Sequence, residues 1–205
     1  MPTTTVPDAV PQPDILLRYN KVAAAIHWIT GLLVLLQIYV GFTFHGMARG
    51  PARGDWFTWH KTIGATILIL AFIRLAWRLT HKPPPFPTEL PRWERLAAVW
   101  NHRAFYFVLF ALPLTGLAAV SGGADEATTG LALGLRLPLI PGLSEAAGDL
   151  SGEVHEILVY ATIFLLVLHV LAALKHQFLG GPQSRTAGRM PPFKSPDGSP
   201  AAPVD

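Results

Sequence analysis

Four stretches of this chain, at 22–44, 59–79, 103–120 and 154–178, are long and almost unbroken apolar sequence. A hydrocarbon layer ~30 Å thick is crossed by ~20 residues of helix, so each stretch is long enough to span a membrane. The 51% hydrophobic and 14% charged content points the same way, since a soluble globular surface needs more charge. The third stretch carries Pro113 in its interior. In a membrane helix that proline is tolerated as a bend, because neighbouring groups satisfy the freed carbonyl. The expected fold class is therefore all-α, an integral membrane four-helix bundle.

The chain contains no cysteine. Disulfides, iron–sulfur clusters, thiolate chemistry and covalent haem attachment through Cys-x-x-Cys-His are excluded with it. The first residues, MPTTTVPDAVPQPD, lack the charged start and small-residue cleavage site of a secretory signal, so the first apolar stretch is expected to remain as an anchor. Beyond residue 180 the sequence is rich in Pro, Gly and small polar residues and offers little apolar surface to bury. The expected organisation is a flexible segment at 1–17, a transmembrane domain at 18–180 and a disordered tail at 181–205.

Lys and Arg mark the cytoplasmic side of a membrane bundle. One side of the four stretches collects Arg18, Lys21, Arg74, Arg78, Lys82, Arg92, Arg95, Arg103, Lys175, Arg185, Arg189 and Lys194. The other holds Arg49, Arg53, Lys61 and Arg136, and its long connection at 121–153 carries Asp125, Glu126, Glu145, Asp149 and Glu153. Both termini are thus expected in the cytoplasm. The basic collar reads as topology and anionic-lipid contact, with no nucleic-acid partner. Trp28, Trp56, Trp59, Trp77 and Trp100 fall near the expected helix ends, where interfacial aromatic anchors sit.

Ionisable residues inside membrane spans are rare and point to function. His27, His60, His155 and His169 all lie in or at the ends of the apolar stretches. His155 and His169 are fourteen residues apart, close to four whole helical turns and ~21 Å of rise, so they share one face at opposite depths. With the orientation above, His27 matches the depth of His169 and His60 that of His155. A porphyrin iron has two axial positions on opposite ring faces, and a histidine from each of two helices fills both. Such an iron suits outer-sphere electron transfer.

Gly31, Gly64 and Ala173 each follow a ligand candidate by four residues, leaving room on that face for a flat macrocycle. Arg74 follows His60 by fourteen residues, at the depth of the other pair, and is placed to meet a haem propionate. His176 lies two turns beyond His169, where a quinone head group needs a hydrogen-bond and proton partner. Snorkelling into the headgroups is its alternative reading. His102 suits a propionate, a quinone or the interface, while His45 and His81 are expected in or beside loops. Two competing readings remain for the four histidines. One makes them plain interhelical hydrogen-bonding residues, the other ligands of zinc or copper in a metal transporter or sensor. For the second, two imidazoles per level make an incomplete ligand set, since Glu156 is expected to point away from the His155 face and Glu153 to cap the helix start.

IHW around His27, HKTIG followed by IRLAWR after His60, HRAFYFVLFALPLTG on the third stretch and VHEILVYATIFLLVLHVLAALKH on the fourth resemble the bacterial four-helix cytochrome b561 family. The resemblance covers the chain from about residue 18 to 180. It implies ligation of two haem b by His27, His60, His155 and His169, a bacterial inner-membrane location and quinone-linked electron transfer. Some family members are superoxide oxidases, passing electrons from superoxide at the outer face to ubiquinone near the cytoplasmic face. In them a histidine corresponding to His176 lies by the quinone; here Lys175 and Gln177 flank it where a paired histidine is common. In that role Arg49, Arg53, Lys61 and Arg136 would steer the anion and the acidic residues of 121–153 would oppose it. The rival within redox chemistry is a cytochrome subunit relaying electrons from a hydrogenase or dehydrogenase partner to quinone.

Overall fold

In the computed structural model, residues 16–86, 90–179, 188–191 and 201–203 are described. A short strand β1 (Leu16–Arg18) leads into α1 (Lys21–His45), followed by α2 (Pro51–Thr80) and α3 (Arg92–Ser121). A hairpin of β2 (Thr128–Gly130) and β3 (Arg136–Pro138) precedes α4 (Glu145–Leu174), which passes into a π turn at Lys175–Leu179. The last described element is β4 (Ala201–Pro203), paired in parallel with β1. All four long helices are apolar enough to cross a membrane.

Three helices begin earlier than their apolar sequence does: α2 at Pro51, α3 at Arg92 and α4 at Glu145. Local chemistry explains these starts. Pro51 and Pro91 sit at helix entrances, where the missing N–H costs nothing. Asn20 and Ser144 cap α1 and α4 by accepting from the Ala23 and Ala147 N–H groups. Glu153 therefore lies well inside α4, and Ser144 holds the capping place expected of it. α3 runs unbroken through Pro113, and Thr115 Oγ donates back to the Ala111 and Leu112 carbonyls beside it.

α1 packs along α2, α3 along α4, and α2 joins the two pairs through α3. The core sits at the α1–α2–α3 junction and comprises Val40, Ile63, Ile67, Ala71 and Leu109. Elsewhere large apolar residues such as Ile69, Phe72, Phe107, Phe164 and Leu171 are exposed. Apolar exposure on that scale is the surface a bilayer covers. The buried hydroxyls of Thr30, Ser121 and Thr162 donate to carbonyls four residues back, so none is left unsatisfied.

The expected disordered tail and the flexible start fall largely outside the described residues. Where the tail is described it is held: Arg189 is buried, its guanidinium donates to the Pro84 and Pro85 carbonyls, and Arg18 Nε donates to the Gly188 carbonyl at 3.1 Å. Together with the β1–β4 pairing, these contacts bring residues 16–18, 188–191 and 201–203 to one end of the bundle.

Candidate functional site

α4 makes its close backbone approach to α3, yet its histidines reach the other helix pair. The His27 ring of α1 and the His169 ring of α4 have centroids 6.1 Å apart at 55°. The His60 ring of α2 and the His155 ring of α4 lie 6.2 Å apart at 75°. These are the two combinations that matched depths predict. A metal–imidazole bond of about 2 Å, with about 1.1 Å from nitrogen to ring centre, places two rings across one ion about 6.2 Å apart. The spacing thus fits an ion bound between each pair.

Each ring is oriented by a neighbour. His155 Nδ1 donates to the Leu112 carbonyl at 2.9 Å and contacts Thr115 Oγ at 3.2 Å. His169 Nδ1 donates to Asn101 Oδ1 at 3.2 Å. In both, the proton on Nδ1 leaves Nε2 with its lone pair, the state a metal requires. Gln37 donates to His60 Nε2 at 3.2 Å and to the His60 carbonyl at 3.0 Å, while His60 Nδ1 and Gln37 Oε1 are buried without a partner. Unsatisfied buried atoms in a native site usually signal an absent ligand or a functional constraint. His27 Nδ1 lies 3.3 Å from both Arg74 Nη atoms, so Arg74 stands at the His27–His169 level, as its spacing from His60 predicts.

A cavity of about 280 Å³ opens beside the His60–His155 pair, lined among others by Gln37, Gly41, Phe44, Gly64 and Tyr160. Glycines shape its walls. A Cβ at Gly41 would come within 3.2 Å of His60 Cε1, and one at Gly116 within 3.1 Å of His155 Cε1. A Cβ at Gly64 would meet Gln37 Nε2 at 3.2 Å, whereas Gly31 faces open space. One expectation is corrected here. Glu156 lines this same cavity, because neighbouring helical positions differ by only about 100° and the cavity is wide. His45 closes α1 beside the loop and is exposed, as expected, and it also borders the cavity.

The remaining polar candidates fall at the two ends. His102 lies edge-on to His169 with centroids 5.6 Å apart, and its Nδ1 donates to the Ala98 carbonyl. His81 caps α2 and stacks on Trp77 at 3.8 Å. His176 lies in the π turn, its Nε2 3.2 Å from Glu94 Oε2. At the opposite end Lys61 donates to Thr129 and the Ala132 N–H donates to Thr62, tying the β2–β3 hairpin to α2 beside His60. Arg136 pairs with Glu126 at 3.4 Å, and Arg53 donates to the Phe44 carbonyl. Gln37, Asn101, Thr115, Gly41, Gly116 and Glu94 were not singled out from the sequence. Polar residues in apolar runs were the available signal for Gln37 and Asn101; the others carry none until the helices are rotated against each other.

Four membrane-crossing helices, with imidazoles meeting in pairs at two levels of the bundle, make this a multi-pass membrane protein built around paired histidines. Among the described residues no three His, Cys, Asp or Glu side chains converge as a metal cage. A family model described as prokaryotic cytochrome b561 matches residues 18–188, and the chain belongs to that family. It is a membrane electron-transfer protein of a haem b-binding family. The chain is 30% identical over 168 residues to cytochrome b561 homolog 2 of Escherichia coli, covering 79% of this chain and 86% of that one. It is also 30% identical over 167 residues to a Yersinia pestis protein named probable superoxide oxidase CybB, covering 79% and 90% of the two chains.

Proposed function

We propose that the protein is a di-haem cytochrome of the bacterial inner membrane, with both termini cytoplasmic, that transfers electrons between ubiquinone and a second redox partner. The observation that carries this reading is the pair of ring separations, 6.1 and 6.2 Å, at two levels of one bundle. His27 with His169, and His60 with His155, would hold the two haems. A haem with both axial positions taken supplies one-electron outer-sphere transfer.

The chain's own residues prepare those positions. Leu112, Thr115 and Asn101 hold His155 and His169 with the proton on Nδ1. For His27 to offer a lone pair from Nε2, its proton has to sit on Nδ1, the atom Arg74 now approaches. Arg74 then gives up this contact, and its guanidinium is available to a propionate. Arg74→Met is accordingly expected to keep both haems but lower the reduction potential of one by ~50 mV. That is ~1 kcal/mol for the loss of one nearby positive charge, and a spectroelectrochemical titration reads it.

The donor reading we favour is superoxide with ubiquinone as acceptor, because a 30% identical relative carries the name probable superoxide oxidase. Lys61 and Arg136, expected to steer that anion, are engaged by Thr129 and Glu126, so steering would fall to the outer face as a whole. The test is to add superoxide to the purified oxidised protein and then a short-chain ubiquinone. Reduction by the first and reoxidation by the second, in the α-band, is the expected result. Inertness to superoxide would replace this donor with a hydrogenase or dehydrogenase partner. A protein without a Soret band would overturn the cytochrome assignment in favour of a metal transporter or sensor.

A further inference from the structure

We propose that Glu94 is the positioning residue for proton delivery to the quinone, holding the His176 ring and favouring its protonated form. This deepens the reading above and rests on its assignment of quinone to His176.

Glu94 lies in the first turn of α3, where a carboxylate is favoured by unsatisfied N–H groups. It reaches across to the end of α4, with Oε1 2.8 Å from Lys175 Nζ and Oε2 3.2 Å from His176 Nε2. Both acid and imidazole are largely covered, their side chains 13% and 16% exposed. The contact is made where α4 gives up its regular winding: Lys175–Leu179 form a π turn. π turns are rare and gather at functional sites, because the widened winding is less stable than an α turn. Here it accompanies the reach of two successive side chains to one carboxylate.

A carboxylate accepting from an imidazole N–H fixes the ring's orientation and stabilises its cationic form. Burial and the neighbouring Lys175 disfavour the imidazolium form of His176, and Glu94 from α3 is the group that favours it. Reduction of ubiquinone to ubiquinol takes two electrons and two protons. The electrons arrive singly from the one-electron donor, superoxide in the favoured reading, over two turns. The His176 imidazolium gives one proton to one carbonyl oxygen, which becomes a hydroxyl, and is reprotonated from the aqueous phase. The second oxygen takes its proton from water.

The experiment uses the haem-loaded protein in detergent, reduced beforehand, and mixes it with a short-chain ubiquinone between about pH 6 and 9. Haem reoxidation gives the rate, and calorimetry on the oxidised protein gives the quinone affinity. Glu94→Gln is expected to slow reoxidation about ten-fold on the alkaline side and by a smaller factor toward the acid end of the range, with quinone affinity within about two-fold of wild type. Lys175→Met, which removes the opposing charge but leaves Glu94 and His176 in place, is expected to move the alkaline limb to higher pH. An E94Q profile equal to wild type, or depressed by one factor at every pH as a packing defect would give, overturns the role of Glu94. So does a K175M profile that copies E94Q. If His176→Ala loses quinone affinity while E94Q is normal, only the Glu94 inference fails; if H176A is also normal, the quinone assignment itself fails.

Discussion

If the proposed di-haem arrangement holds, replacing His155 by alanine halves the haem content, from two per chain to one. α4 contributes one imidazole to each level, His155 opposite His60 and His169 opposite His27. Each single replacement therefore removes one axial ligand and leaves the other pair intact. Without cysteine in the chain there is no thioether link to retain a haem whose axial bond is gone. His169→Ala should likewise leave one haem, with the spectrum and potential of the other level, and the double variant none. Pyridine haemochrome measured against protein concentration decides it. A His155→Ala protein that still carries two haems would refute the pairing.

The second large effect falls where α3 ends and α4 begins. A Cβ at Gly148 would lie 2.6 Å from Gly122 Cα, and a Cβ at Gly122 2.4 Å from Gly148 Cα. Both clashes are with backbone, so no side-chain rotation relieves them. Ordinary overpacking costs about 1–3 kcal/mol, and a rigid contact this short belongs at the upper end or above. Gly148→Val is expected to part α3 from α4 just above His155, with a several-fold lower yield of haem-loaded protein and a lower Tm in detergent. Gly130 is the contrast, with nothing within 4 Å of its Cβ position; Gly130→Ala should stay within about 0.5 kcal/mol of wild type. Equal stability of the two variants would show that the Gly122–Gly148 approach is not a structural requirement. Thermal unfolding followed by haem release makes the comparison.

Both effects trace to how the bundle is assembled. α1 with α2 and α3 with α4 are the tight pairs, and the paired histidine rings meet across the space between them. That arrangement leaves imidazoles facing each other across a separation set by the helices, with glycines at Gly41 and Gly116 keeping the walls back. Neutral amides and carbonyls from the tight pairs then orient the rings of His60, His155 and His169, and Arg74 neighbours that of His27. A ring so held loses little freedom when it binds, which is the usual role of outer partners around a metal-ligating histidine.

By itself the sequence determined the four helices and the level at which each histidine sits. Both follow from local rules: a hydrocarbon layer demands long apolar runs, and a 3.6-residue repeat places His155 and His169 on one face and Arg74 at the depth of His27. The helix beginnings at Pro51, Arg92 and Glu145 also have local causes, but these are prolines and caps outside the apolar layer, which hydropathy does not register. Only the tertiary structure decided that Gln37 meets His60, Asn101 meets His169, Gly122 touches Gly148, and Glu94 reaches His176. Those contacts depend on how each helix is rotated about its axis and displaced along its neighbour, a choice made by side-chain packing between segments distant in sequence.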